Sequence, residues 1–284
     1  MLSRREFLEL AAKAGIAATV PGCTPRRTAE APAEGIVVND VHSHLNPTRV
    51  HDVIRPESIE ALQSVVRAAR RDRRAVSVAG GRHAMGGQQF AADSTLIDMN
   101  GLTRVIEFDR VAGEIEVEAG IQWPQLIDAY LEKQQGLTPQ WGVAQKQTGA
   151  DTFTLGGSLS SNVHGRGLTM KPLISNVESF TLLNAEGKAV RCNRMENPEL
   201  FRCAIGGYGL FGLITRVTLR LVPRRKLQRK VEIISARELM ERFERRIADG
   251  FLYGDFQFSI DEKSSDFSRR ACFPATSRSR MTRR

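Results

Sequence analysis

No Cys-x-x-Cys pair occurs in this chain. Its four cysteines, Cys23, Cys192, Cys203 and Cys272, are widely scattered, which removes the common spacings of a zinc site or a redox dithiol. Spacing leaves a disulfide open, and Cys192 and Cys203 read as ordinary small apolar residues. Histidine is scarce too, with five in the chain. A basic body is also missing: residues 1–27 carry +3 and residues 269–284 carry +6, which is the whole of the +9 net charge. The stretch between them is balanced, so no nucleic-acid footprint remains and no nucleic-acid partner is expected. What is present is 284 residues, 41% of them hydrophobic, enough to bury cores in one large or two ordinary domains.

The N-terminus pairs Arg4-Arg5 with Phe7-Leu8 and then an apolar stretch too short to span a bilayer permanently. This predicts a twin-arginine export signal over residues 1–23, and with it the periplasm or the outer face of a membrane. Val20-Pro21-Gly22-Cys23 resembles a bacterial lipoprotein cleavage site, which makes Cys23 a candidate lipid anchor. Residues 24–38 read as a Pro- and Ala-rich linker.

Asp40-Val41-His42-Ser43-His44 follows. On a strand, its alternating histidines share one face, and a metal-dependent hydrolase is one reading of that pattern. The other reading is surface histidines before the Asn46-Pro47 turn. Only His51, His83 and His164 remain to complete a metal set, so no metal site is expected. Val50–Ile54 predicts a strand, and Pro56-Glu57-Ser58 opens a helix whose Ile59, Leu62, Val65, Val66 and Ala69 fall at helical spacing. Strands are predicted near 75–79, 95–99, 104–108 and 114–119, a helix over 123–134, and a hairpin over 177–192 turning at Asn184–Gly187.

Two glycine-bearing stretches stand out. Val78–Gly87 reads V-A-G-G-R-H-A-M-G-G and follows a short strand. Thr152–Gly167 reads T-F-T-L-G-G-S-L-S-S-N-V-H-G-R-G. Each is a tight turn or one half of a loop-built anion cradle, because small residues let backbone amides approach a ligand. A third stretch, Gly206–Gly212, contains G-x-G-x-x-G, but a predicted helix precedes it and a β-rich run follows. That order is wrong for a dinucleotide turn of the Rossmann type. Beyond Pro223 a second α+β segment begins, and from about Phe267 the chain turns arginine- and serine-rich without periodicity. That end reads as a truncation or frameshift product, or as a disordered basic tail.

Taken in order over residues 40–225, G-G-R-H-A-M-G-G, T-L-G-G-S-L-S-S-N-V-H-G, F-T-L-L-N-A-E-G and G-G-Y-G-L-F-G-L-I-T-R-V-T-L-R-L resemble the FAD-binding domain of the vanillyl-alcohol-oxidase family, the PCMH type. The resemblance implies an α+β fold. It places an FAD-binding domain of two small sheets with helices at 39–224, the start of an incomplete substrate domain at 225–266 and a basic disordered tail at 267–284. It implies FAD, with its pyrophosphate cradled by amides of Gly80, Gly81, Arg82, His83 and Ala84 on one side and Gly156, Gly157, Ser158 and Ser161 on the other. His83 falls where many relatives join an imidazole to the flavin covalently; a non-covalent contact and a structural role are the alternatives. His164 resembles a histidine beside the cofactor in sugar-lactone and decaprenylphosphoryl-ribose oxidases. Gly212 and Ile214 match positions that approach the adenine side.

The function so implied is oxidation of a CH–OH group of a sugar, aldonolactone, polyol or similar small alcohol by hydride transfer to flavin. The electron acceptor stays open. No catalytic base is assigned, since relatives carry it in the substrate domain. A remnant that binds FAD without turnover is the competing expectation.

Overall fold

The computed structural model describes residues 34–147, 149 and 151–278. The twin-arginine stretch, Cys23, most of the linker and the last six residues lie outside the described residues. From Gly35 onward the chain forms one compact unit. The fold is mixed α and β, as expected.

A two-stranded ribbon, Ile36–Val38 against Thr48–Val50, leads into a three-stranded parallel sheet in the order Asp52–Ile54, Thr95–Asp98, Val76–Ala79. The single strand expected at 50–54 is therefore two. It breaks at His51, whose amide donates to Ser94 O at 2.9 Å, and each half pairs in a different sheet. Helix α1, Ile59–Arg71, is the crossover. Ser58 caps it by accepting from the Ala61 amide, Glu60 and Arg70-Arg71 complement its dipole, and Leu62, Val66 and Ala69 form its buried stripe. All four residues of Thr95–Asp98 are buried, as a central parallel strand requires.

A five-stranded antiparallel sheet follows, ordered Ala189–Asn193, Val177–Leu183, Leu213–Arg220, Glu114–Glu118, Val105–Asp109. Helix α2, Trp123–Lys133, buries Trp123, Leu126 and Tyr130 against it. These pack with Phe180, Phe201 and Val217 in the largest core, and each large side chain so buried contributes about 1.5–3 kcal/mol. A second core joins Leu62, Val66, Ile97 and Met99 to Leu183 and Leu213. That cluster ties the parallel sheet to the antiparallel one and leaves a crevice between their ends.

Two expectations are corrected. The second glycine-bearing stretch is not all loop. Leu155–Ser160 is a short helix, α3, capped by Thr154, whose Oγ1 accepts from the Gly157 amide. Nor is the region after 267 an aperiodic tail. Arg270–Arg278 is a nine-residue strand paired along its whole length with Leu227–Ser235, and Tyr253–Gly254 and Gln257–Phe258 pair with it too. Ala271, Phe273 and Ala275 are buried on it, an alternation that the arginines and serines around it hid. Helix α4, Pro198–Ala204, and helix α5, Leu239–Ala248, complete the described helices. Cys192, Cys203 and Cys272 are free thiols.

Candidate flavin site

Strand Val76–Ala79 runs straight into Gly80 and Gly81. A Cβ on Gly80 would overlap the Thr154 side chain, and one on Gly81 would overlap the Thr152 carbonyl. Glycine is what lets these two segments close on each other. Arg82 takes a left-handed backbone, φ +54°, a conformation found in anion-binding turns. Among the described residues, the amides of Gly81, Arg82, His83 and Ala84 have no acceptor. Four consecutive unpaired donors on a turn form the kind of concavity that binds an anion.

That loop borders a cavity of about 310 Å³, within the range of small-molecule sites. Gly80, Gly81, Arg82, His83, Ala84, Gly156, Gly157, Ser161, Gly212 and Ile214 all line it. Two predicted residues do not. Ser158 is fully buried, and its Oγ accepts from Trp123 Nε1 at 3.0 Å. His164 is exposed, with Nδ1 2.9 Å from Gly165 O.

The second segment also supplies less than expected. The amides of Gly156, Gly157, Ser158 and Ser161 donate to Ala119 O, Thr154 Oγ1, Thr154 O and Gly157 O. Three are committed to α3 and its cap and the fourth to Ala119 O, so among the predicted residues the unpaired run of donors belongs to the first loop. What the second segment gives the cavity is close approach, plus Ser160 and Ser161. Gly212 serves the same end: its φ is +135°, and a Cβ there would meet Leu182 Cδ2 at 2.5 Å and Leu183 O at 2.6 Å.

His83 sits at the junction. Its ring stacks on Phe153 with centroids 4.3 Å apart, its Nε2 lies 2.8 Å from Thr152 Oγ1, and its Nδ1 lies 2.6 Å from His42 Nε2. Burial and then the neighbouring His42 lower its pKa, while Thr152 acts the other way. The balance favours the neutral imidazole, the form that can act as a nucleophile.

The Asp40–His44 segment is a turn rather than a strand, so its histidines do not share a strand face. Buried Asp40 organises it. Its carboxylate accepts from the His42 amide (3.0 Å), the Ser43 amide (2.6 Å), Ser43 Oγ (2.8 Å) and Asn46 Nδ2 (3.1 Å). Burial would raise this carboxyl, but those hydrogen bonds outweigh it and hold it far below the ordinary carboxylate range. Spent in this way, Asp40 is not a metal ligand, and among the described residues no cluster of three or more ligating side chains forms.

Sequence reasoning missed Phe153, Thr154, Met99, Val163 and Tyr208, which also line the cavity. The run T-F-T ahead of the glycines was the available signal for the first two. Residues 51–193 match the model of a FAD binding domain.

The chain belongs to the PCMH-type FAD-binding family. Among its relatives are a putative D-arabinono-1,4-lactone oxidase of Neurospora crassa, 30% identical over 68% of this chain and 33% of that protein, and the L-gulonolactone oxidase of Bos taurus, 31% identical over 66% and 41%. Cytokinin dehydrogenase 3 of rice is 32% identical over 62% of this chain and 33% of its own length. This chain therefore spans between a third and under half of the relatives it matches. An alkyldihydroxyacetonephosphate synthase structure superposes with a TM-score of 0.68 over 80% of this chain and 46% of its own, at 14% identity, which bears on the fold alone. The cofactor of this PCMH-type domain is FAD. The site fits that cofactor: unpaired amides suit a pyrophosphate, and Val78, Met99, Phe153 and Ile214 suit aromatic rings.

Proposed function

We propose that the chain forms the flavin-binding part of an enzyme that oxidises a CH–OH carbon of a sugar, aldonolactone or polyol. The observation that carries this is the run of unpaired amides at Gly81–Ala84 on the cavity, read beside relatives named as lactone oxidases. When bound, FAD supplies a two-electron acceptor. The protein supplies the rest. The amides hold the pyrophosphate by charge-assisted hydrogen bonds of about 1.5–3 kcal/mol each. Thr154 and Gly80 fix the two walls, Phe153 orients His83, and the apolar lining keeps water from the ring. His83 is the point of covalent attachment, and no residue of this chain is assigned as the base that takes the hydroxyl proton. The twin-arginine stretch delivers the loaded protein across the membrane, with Cys23 as its lipid anchor.

Purified full-length chain should be yellow. Anaerobic addition of an aldonolactone or polyol should bleach it, and addition of a cytokinin should not. Colourless, folded protein from a flavin-replete host sinks the flavin reading. Yellow protein that no alcohol bleaches leaves a binding domain without turnover. Bleaching by a cytokinin moves the substrate class to the one named for the dehydrogenase relative.

A further inference from the structure

The last sheet has an open edge. Leu227–Ser235 pairs with Arg270–Arg278 along one side, and among the described residues no strand pairs with its other side. A nine-residue edge strand presents a row of unpaired N–H and C=O groups, a ready template for another chain. Residues 227–233 of it are exposed. Alternation divides the strand between two faces. Lys230 and Glu232 lie on the α5 side, where Glu232 meets Arg246 at 3.1 Å and Lys230 Nζ stands 5.5 Å from the centre of the Phe251 ring. Leu227, Val231 and Ile233 lie on the other face and are 45%, 50% and 66% exposed. An apolar row along an uncovered edge marks an association surface.

The charges say which chain fits it. When two copies continue one sheet in antiparallel fashion, the two-fold axis stands perpendicular to the sheet and passes through a single residue, and every residue meets one of its own face. An axis at Arg229, Lys230 or Glu232 sets like charges directly against each other, which is destabilising. An axis at Val231 sets Lys230 of each copy opposite Glu232 of the other. It also sets Val231 against itself, with Ile233 lying diagonally to Val231 and Leu227 of the other copy. Val231 is the midpoint of Leu227–Ser235, so in this register the whole strand is paired. Both charges have room for the contact. Glu232 is 46% exposed, and among the described residues no carboxylate pairs with Lys230.

We propose that this edge is the interface of a two-fold dimer, in which Leu227–Ser235 of two copies pair antiparallel about Val231 and join their sheets into one. The two-fold uses both edges, so no third copy adds there. The interface shares no residue with the flavin cavity, so the inference stands apart from the flavin reading.

The test uses the full-length chain and light scattering behind gel filtration over a concentration series. Wild type should have twice the chain mass. Lys230→Glu sets acid against acid at both symmetric positions, and it should weaken the dimer roughly tenfold or more while keeping the wild-type circular dichroism spectrum. Mixing it with Glu232→Lys should restore a dimer with one copy of each, because every altered charge then faces its opposite. Glu232→Lys also breaks the Arg246 pair, so mild oxidation reads the register independently. Val231→Cys should give a disulfide-linked dimer on a denaturing gel above the wild-type background, whereas Arg229→Cys, whose two copies would sit on the order of 14 Å apart along the strands, should not. Wild type that stays monomeric at its highest soluble concentration overturns the dimer and leaves the edge to a polypeptide of another sequence. A dimer that Lys230→Glu leaves intact overturns this edge as the interface, and assemblies that grow beyond two overturn the closed two-fold. Absence of linking in Val231→Cys, equal linking in Arg229→Cys, or no mixed dimer from two folded variants overturns the register about Val231.

Discussion

The side chain of Thr154 fills the space that a Cβ on Gly80 would need, while its Oγ1 accepts from the Gly157 amide at 3.2 Å. One threonine thus caps α3 and seals the two walls of the flavin cavity. Gly80→Ala has to drive a buried side chain off its cap. Overpacking costs about 1–3 kcal/mol and a lost cap about 1 kcal/mol. A Tm drop of roughly 2–4 °C per kcal/mol is expected for a chain of this size, with weaker FAD binding. Combining Gly80→Ala with Thr154→Ala should recover part of the loss, a coupling of about 0.5–3 kcal/mol. Simple addition of the two single effects in thermal melts would show that the contact does not control the junction.

Trp123 and Ser158 make a second pair, both buried, with indole Nε1 donating to Oγ at 3.0 Å. Because Ser158 does not face the cavity, its substitution should disturb folding more than cofactor binding. Ser158→Ala strands the indole N–H and should cost about 1–3 kcal/mol. Trp123→Phe strands the hydroxyl and loses packing area besides. The double variant should cost less than the sum, since neither polar group is then left alone. Denaturant melts give the stabilities, and a flavin titration of Ser158→Ala should show affinity within about twofold of wild type. A larger loss would return Ser158 to the site.

The elements that were legible are those whose pattern is local. Ile59, Leu62, Val66 and Ala69 announce α1, and Asn184–Gly187 marks its hairpin. The glycine loop at 80–84 was legible for the same reason, since a strand running into Gly-Gly has few other uses. The strand Arg270–Arg278 was missed because its alternating Ala271, Phe273 and Ala275 are small or isolated among charges, and its partner lies some forty residues upstream. His42 is the exposed histidine before the Asn46-Pro47 turn that one reading of the sequence expected, but its contact with His83 is encoded by no spacing in the chain. The second segment was half understood. Its glycines do approach the cavity, but which amides are free is decided by the Thr154 cap and Ala119 O, which only the folded chain reveals.

Arg246, on α5, is a buried cation packed against Phe273 of the last sheet. Its side chain is 7% exposed and pairs at 3.1 Å with Glu232, itself 46% exposed, and its guanidinium lies over Phe273 at 4.6 Å and Phe251 at 4.9 Å. A cation over an aromatic face is worth about 0.5–2 kcal/mol, but burying the charge takes back a comparable amount. Methionine would keep the volume and gain sulfur–aromatic contacts of about 0.3–1.5 kcal/mol. Arg246→Met should therefore change stability by less than about 1 kcal/mol, whereas Glu232→Ala should cost more by leaving the guanidinium poorly paired. Equilibrium denaturation separates the two. A loss of about 3 kcal/mol or more in Arg246→Met would mean that the cation itself holds this sheet.

His83 should make the apo-protein acid-sensitive in a window set by its lowered pKa. Burial, then the neighbouring His42, disfavours the charged imidazole in the folded chain. An unfolded histidine protonates near pH 6.5. As pH falls through about 6.5 the unfolded state therefore takes up the proton first, so stability declines with acidification until the folded-state pKa is passed, and the penalty then stays constant. Above pH 7 both states are neutral and the residue contributes no slope. His83→Gln should flatten the dependence between pH 7 and pH 5 in chemical melts, leaving the acid limb due to carboxylates such as Asp40 in place. Proton NMR of the imidazole should give a midpoint below 6.5 in wild type. An unchanged slope in His83→Gln, or a midpoint at or above 6.5, would mean that the folded loop does not disfavour the charged imidazole.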